Sequence, residues 1–256
     1  MNYWSQKTLD LVTAQNYLDK LQIIYPHEEG ERQVDEEALE SIKSSFIAKD
    51  NFQLLDKLLG LEKFPYKDSY VAFLRKDRTA IERNPQTVER ICQYLYKMGL
   101  KGVLDGIKQS KEANMRRGPQ FVNWVRSKFP VLELDEFKKS KQGVVVLGGN
   151  ELSAKNFCNS EFNLAVSKRP DLVAKVNNKY VVGEAKFLSS TGGNQGTGFE
   201  DGIKLATNSS GTAYKIFVLD GIHWIEKGSA QHKRIESTQA TILSVLLLNE
   251  FLDSLL

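Results

Sequence analysis

Between Lys168 and Phe187 two apolar runs, Leu172 to Val176 and Tyr180 to Val182, flank the pair Asn177-Asn178. Asparagine tolerates the positive φ that a two-residue hairpin turn needs, so this stretch predicts a tight antiparallel hairpin. A turn at that point sets every cross-strand partner: Val176 faces Lys179, and further out Asp171 faces Glu184. Opposed residues share a face of the sheet, with Cβ atoms about 4.5–5.5 Å apart. Strand alternation returns Lys186 to the side of Glu184. Two carboxylates and an ammonium are therefore expected together on one face, at the end of a buried hairpin.

That grouping constrains its own chemistry. Opposed carboxylates repel unless a proton, a cation or a metal neutralises them. Hard oxygen donors at this density suit Mg²⁺, which takes one or two carboxylates together with phosphate and water. A lysine two residues on can hold a phosphate oxygen or an attacking water beside such an ion.

Charge along the chain indicates a partner of opposite sign. Residues 1–50 carry 5 basic and 10 acidic side chains, whereas residues 101–142 carry 10 and 5. Positive charge thus accumulates just ahead of the acidic hairpin, where it suits a polyanion. Lys111, Arg116 and Arg117 lie in the most basic connection and are the candidate phosphate contacts. With only Cys92 and Cys158, the chain is no disulfide scaffold, and a reducing cytosol is the expected compartment. The histidines His27, His223 and His232 have no zinc spacing with either cysteine. The chain opens without a basic-then-apolar leader, and the apolar run Ile242 to Leu248 is too short to span a bilayer.

Helical periodicity dominates the first half, with helices expected over Leu9 to Ile23, 35–47, from Asp50 to Gly60, and from Asn84-Pro85 to Gly99. A short amphipathic helix is expected after Gly118-Pro119. No strand signal precedes Gly143, where Val144 to Leu147 begins a different texture: strand, a helical turn over Ser153 to Phe157, the hairpin, a helix over Phe199 to Ala206, and a strand over Tyr214 to Leu219. A long last helix, capped by Ser237 or Thr238, is expected to carry Ile242 to Leu252. The order gives an α/β fold, a mixed β-sheet core flanked by helices behind a helical N-terminal region. The division expected is 1–142, mostly helical, and 143–256, the α/β core.

Pro170-Asp171 followed by Glu184-Ala185-Lys186 resembles the PD-(D/E)xK nuclease superfamily, and most closely its type II restriction endonucleases. The resemblance covers roughly residues 143–225 and implies a restriction-endonuclease-like core. It implies that Asp171, Glu184 and the Ala185 carbonyl bind Mg²⁺ (Mn²⁺ substituting) and that Lys186 orients or activates water. An acid on an upstream helix, Glu151 or Glu161, is a further candidate ligand. The loop holding Asn194 and Gln195 is suited to approach DNA, since amides read adenine edges. The function implied is Mg²⁺-dependent, site-specific cleavage of double-stranded DNA by a homodimer in a prokaryotic cytoplasm, with a cognate DNA methyltransferase as companion and the helical region supplying DNA contacts or dimer interface. A repair or junction-resolving nuclease, or a DNA-binding module with a vestigial site, are the alternatives.

Overall fold

Asn177 adopts φ 53°, and from it the hairpin runs in the expected register, Val176 opposite Lys179 through to Leu172 opposite Gly183. The computed structural model describes residues 1–26, 32–109, 113–190 and 193–256, with the backbone alone for 113–116 and 193–195. Six strands are found among the described residues. They are β1 (Val131–Leu132), β2 (Val144–Leu147), β3 (Leu172–Val176), β4 (Lys179–Leu188), β5 (Tyr214–Gly221) and β6 (Thr241–Leu243), and they lie side by side in chain order. β2, β3 and β4 pair antiparallel, whereas β1 joins β2, β5 joins β4 and β6 joins β5 in parallel. A parallel neighbour needs a crossover, and the helix Gly193–Ala206 supplies it between β4 and β5, packing on both. The result is an α/β fold with a mixed sheet, like that of the restriction endonucleases.

Alternation along the strands divides the side chains between two faces. One face places Leu172, Ala174, Val181, Ala185, Ile216 and Val218 against Tyr17, Leu21, Phe121, Val125 and Phe251. The other carries two separate clusters. Val173 and Val182 pack with Phe157 and Phe162, while Leu188, Phe217 and Leu219 pack with Phe199 and Ile203. Burial of each large apolar side chain contributes about 1.5–3 kcal/mol, so both faces are firmly covered. Along β4, Val182 belongs to the first cluster and Leu188 to the second. The residues between them on that face are Glu184 and Lys186. The charged pair therefore occupies the interval between two apolar clusters.

Contacts divide the chain into two compact units, Met1–His27 with Glu112–Leu256, and Glu28–Lys111. The second unit has helices and no strand among its described residues: Glu36–Ile47, Asn51–Gly60, Val71–Lys76, Ala80–Arg83 and Pro85–Lys108. Asp35 and Asp50 cap the first two by accepting from the backbone N–H groups of Ala38 and Gln53. Ile42, Leu54, Leu55, Leu58, Ile91, Leu95 and Val103 fill its core.

Several expectations need correction. The compact units do not divide at 142/143: the first helices (Tyr3–Thr13 and Tyr17–Ile24) and the helix Ala113–Lys128 belong with the sheet, because their apolar faces supply one side of its core. Those first two helices were expected as one; Asn16 at φ 64° separates them. The helix from Pro85 runs on past Gly99, which turns to φ 74° inside it. Pro119 lies within a helix and does not begin it. The expected long last helix is instead β6, a 3-10 turn over Val245–Leu247 and the short helix Leu248–Asp253. Its apolar run is buried on all sides, which erases the helical period. β1, only two residues long, gives no periodic signal. No helix among the described residues is long and apolar enough to cross a membrane.

Candidate active site

Asp171 precedes β3 by one residue, so its backbone is outside the ladder while its side chain continues the face of Val173. Its Oδ2 accepts the backbone N–H of Ala185 at 2.9 Å and the Lys186 ammonium at 3.2 Å. Across the hairpin Glu184, 4 % exposed, accepts from the same ammonium through Oε1 at 2.6 Å. Lys186 Nζ has a third acceptor, the Ala185 carbonyl at 3.1 Å. An ammonium has three donors and no more, and Lys186 uses all three here on Asp171, Glu184 and Ala185. Burial pulls the Lys186 pKa down, but the charges and hydrogen bonds of Asp171 and Glu184 outweigh it and hold the group above its ordinary value. Lys186 is therefore a cation at neutral pH.

A second lysine enters from outside the motif. Lys168 Nζ donates to Glu184 Oε1, the oxygen that already accepts from Lys186. The Lys168 side chain is 49 % exposed and that of Glu184 only 5 %. Lys168 is not part of the Pro-Asp…Glu-x-Lys motif; its one signal in the sequence is a cation three residues ahead of Asp171. The stretch around it is fixed by Arg169, whose guanidinium donates to the carbonyls of Leu147 and Gly149 at the end of β2. Helix Gly193–Ala206 closes over the opposite side: a Cβ on Gly198 would lie 3.4 Å from Lys186 Cδ.

The other candidates are placed differently. Glu151 and Glu161 are exposed near the two ends of helix Glu151–Phe162 and neither joins the group. No cluster of three or more His, Cys, Asp or Glu side chains forms among the described residues. An extra acid from that helix is thus not found, because its inward face is occupied by Ala154, Phe157, Cys158 and Phe162. The Arg117 guanidinium is spent inside the protein, donating to the carbonyl of Tyr25 and to Gln120 Oε1 and stacking 4.8 Å over the Phe187 ring. It braces the residue after Lys186. Lys111 and the side chains of Arg116, Asn194 and Gln195 lie outside the described residues.

The donors fit a hard divalent cation. Asp171, Glu184 and the Ala185 carbonyl offer oxygen alone, and one ammonium already engages all three. Oxygen donors of this kind are what Mg²⁺ prefers, whereas zinc and copper favour nitrogen and sulfur.

A mixed sheet whose central hairpin brings Asp, Glu and Lys to one end defines a restriction-endonuclease-like protein. The family model for the Tsp45I type II restriction enzyme matches residues 2–255. The chain belongs to that family of site-specific restriction endonucleases. Searches of the curated proteins and of the solved structures returned no match.

Proposed function

We propose that the protein hydrolyses phosphodiester bonds of double-stranded DNA with Mg²⁺, using Asp171, Glu184 and Lys186. The observation that carries this reading is the Lys186 ammonium donating at once to Asp171, Glu184 and the Ala185 carbonyl. Asp171 and Glu184, with the Ala185 carbonyl, would hold the ion, and Mn²⁺ would substitute. The ion supplies charge stabilisation at the phosphate and lowers the pKa of water.

The chain's own residues do the rest. Ala185 N–H holds the Asp171 carboxylate in place, so its orientation does not depend on a ligand. Glu184 is fixed by its burial and by two ammonium donors. Lys186, a cation whose three donors rest on the oxygens that the ion would take, would then be free to orient the attacking water and stabilise the negative charge developing on the phosphate oxygens. Helix Gly193–Ala206 passes close to the lysine stem at Gly198, where the missing side chain leaves the stem its room.

Cleavage of both strands requires two such sites, which supports a homodimer acting on a two-fold symmetric sequence. In the helical unit, residues 63–111 carry 11 basic and 5 acidic side chains, which supports a role in DNA contact. A DNA methyltransferase of the same specificity is the companion such an enzyme requires in its host.

The test is digestion of phage DNA by purified protein with Mg²⁺, beside Asp171→Ala and Lys186→Ala. Discrete fragments from wild type and none from either variant are expected. Intact DNA under Mg²⁺ and Mn²⁺, or cleavage by Asp171→Ala at the wild-type rate, overturns the reading.

A further inference from the structure

Beside Glu184 the sheet face opens into a cleft. Leu164, Val166 and Lys168 line one side, Glu184 contributes to it from β4, and Asp201 and Lys204 face it from helix Gly193–Ala206. The first wall is built rigidly. Asn163 and Ala165 both adopt left-handed conformations, φ 50° and 53°. An alanine in that region is strained and persists only where its surroundings impose it. Here they do. Asn159 holds Val166 by accepting its N–H at 2.7 Å and donating to its carbonyl at 3.0 Å, and Asn208 donates to the Leu164 carbonyl at 3.4 Å. Arg169 fixes the chain on the far side of Lys168. Lys168 thus projects from a braced segment, with its ammonium on a buried carboxylate and half of its side chain in solvent.

The charges explain why it rests there. Glu184 Oε1 has two ammonium partners, Lys186 and Lys168. A divalent cation held by Asp171 and Glu184 would supply that compensation itself and repel both ammonium groups. Lys186 has a role beside the ion. Lys168, the more exposed of the two, would be released toward the cleft, where the opposite charges of Asp201 and Lys204 offset one another and leave its ammonium as the cation available to a phosphate.

We propose that Lys168 is a substrate-positioning residue that leaves Glu184 when the divalent ion binds and takes a DNA phosphate at the mouth of this cleft. The inference rests on the metal-dependent reading of Asp171 and Glu184. It makes ion binding and DNA binding mutually reinforcing, because each removes the competitor of the other. It also gives Lys168→Ala opposite effects on the two ligands. Loss of the ammonium frees Glu184 for the ion but removes a phosphate contact.

The experiment uses the full chain and a duplex spanning a cleavage site mapped from the wild-type digest, with Ca²⁺ in place of Mg²⁺ for binding measurements. Calorimetry without DNA reads ion affinity; fluorescence anisotropy at several salt concentrations reads duplex affinity. For Lys168→Ala, Ca²⁺ binding is expected to tighten several-fold. Duplex binding in Ca²⁺ should weaken roughly tenfold, and the salt slope should fall by about one. Lys168→Arg, which keeps the charge, should restore duplex binding. Unchanged duplex affinity, or parallel weakening of ion and duplex, overturns the inference. Failure of the underlying reading looks different, since wild type would then leave DNA intact with Mg²⁺ or Asp171→Ala would cut.

Discussion

Lys186 and Glu184, two residues apart on β4, form an ion pair at 2.6 Å in which the carboxylate side chain is 5 % exposed and the lysine 23 %. The ammonium also reaches Asp171 at 3.2 Å, so one cation keeps two opposed carboxylates compatible with folding. Lys186→Ala should therefore lose more than cleavage. Without its ammonium, Asp171 loses one of its two partners and Glu184 keeps only Lys168. Breaking a buried pair by removing one member costs about 3–5 kcal/mol, less here because the site is partly open. The expected outcome is a lowered melting temperature in EDTA that Mg²⁺ raises by more than it raises wild type, while cleavage falls by about a hundredfold or more. A variant with the wild-type melting temperature in EDTA and no larger response to Mg²⁺ contradicts this account.

Asp220 gives the fold a dependence on pH. Its side chain, 0 % exposed, accepts from Tyr17 and Tyr25 hydroxyls, from the Ser244 hydroxyl and from the Val245 N–H. It thus ties the first helices to the turn after β6. Burial raises its pKa from 3.8 to about 6 despite those four donors. The tyrosine hydroxyls facing it are themselves pushed up, by burial first and then by the Asp220 charge, and stay neutral. A carboxyl whose folded pKa is raised binds its proton more tightly in the native state. Its contribution to stability is therefore fullest below pH 3.8 and is lost as pH rises through 6, a difference of about 3 kcal/mol. Asp220→Asn removes this titration. Urea unfolding from pH 4 to 7 should show wild type losing stability relative to the variant across that window. Parallel curves would assign the effect elsewhere.

Part of this architecture was legible from residues alone, and the division follows physical lines. The hairpin register was readable because an Asn-Asn turn and strand alternation are local rules, and they carried Asp171, Glu184 and Lys186 to one face. Helix Glu36–Ile47 was readable from apolar spacing, and its neighbour from apolar spacing together with the Asp50 cap. Ile242 to Leu248 misled because nearly every residue of the run is buried, leaving no period to read. The partners of Lys168 and Arg117 were not legible for a different reason: what a surface-looking cation touches is a tertiary fact. Arg117 lies 92 residues from Tyr25, whose carbonyl it holds, and no spacing rule reports that.

Gly202 sets how closely the crossover helix approaches the sheet. A Cβ there would lie 2.3 Å from the ring of Phe217, which is fully buried on β5. The neighbour is a ring in a packed core and not the end of a flexible chain, so the helix must lift or the ring must move. Gly202→Ala should cost about 1–3 kcal/mol, overriding the gain in helix propensity of about 1 kcal/mol. Because Gly198 on the same helix lies against the Lys186 stem, a lifted helix should also reduce kcat. Urea unfolding and steady-state cleavage check both effects, and an equally stable, equally active variant would show that the contact relaxes freely.

Asn177 is the residue on which the register depends. It holds φ 53°, where an alanine is strained, and its side chain accepts the Gly143 N–H at 2.9 Å and donates to the Leu256 carbonyl at 3.0 Å. It therefore shapes the turn and also ties β2 and the chain's last residue to it. Asn177→Gly keeps the backbone freedom and loses the hydrogen bonds; Asn177→Ala loses both. Stability should fall in the order wild type, glycine, alanine, with about 1 kcal/mol for the bonds and about 1 kcal/mol more for the strain. Cleavage should survive in both variants once folded, because Leu172 opposite Gly183 and the four pairs between it and the turn continue to hold Asp171 across from Glu184. Equal stability of the two variants would mean that the turn's backbone conformation carries no strain for alanine. A glycine variant that folds but does not cut would mean that the turn, and not the ladder, positions the carboxylates.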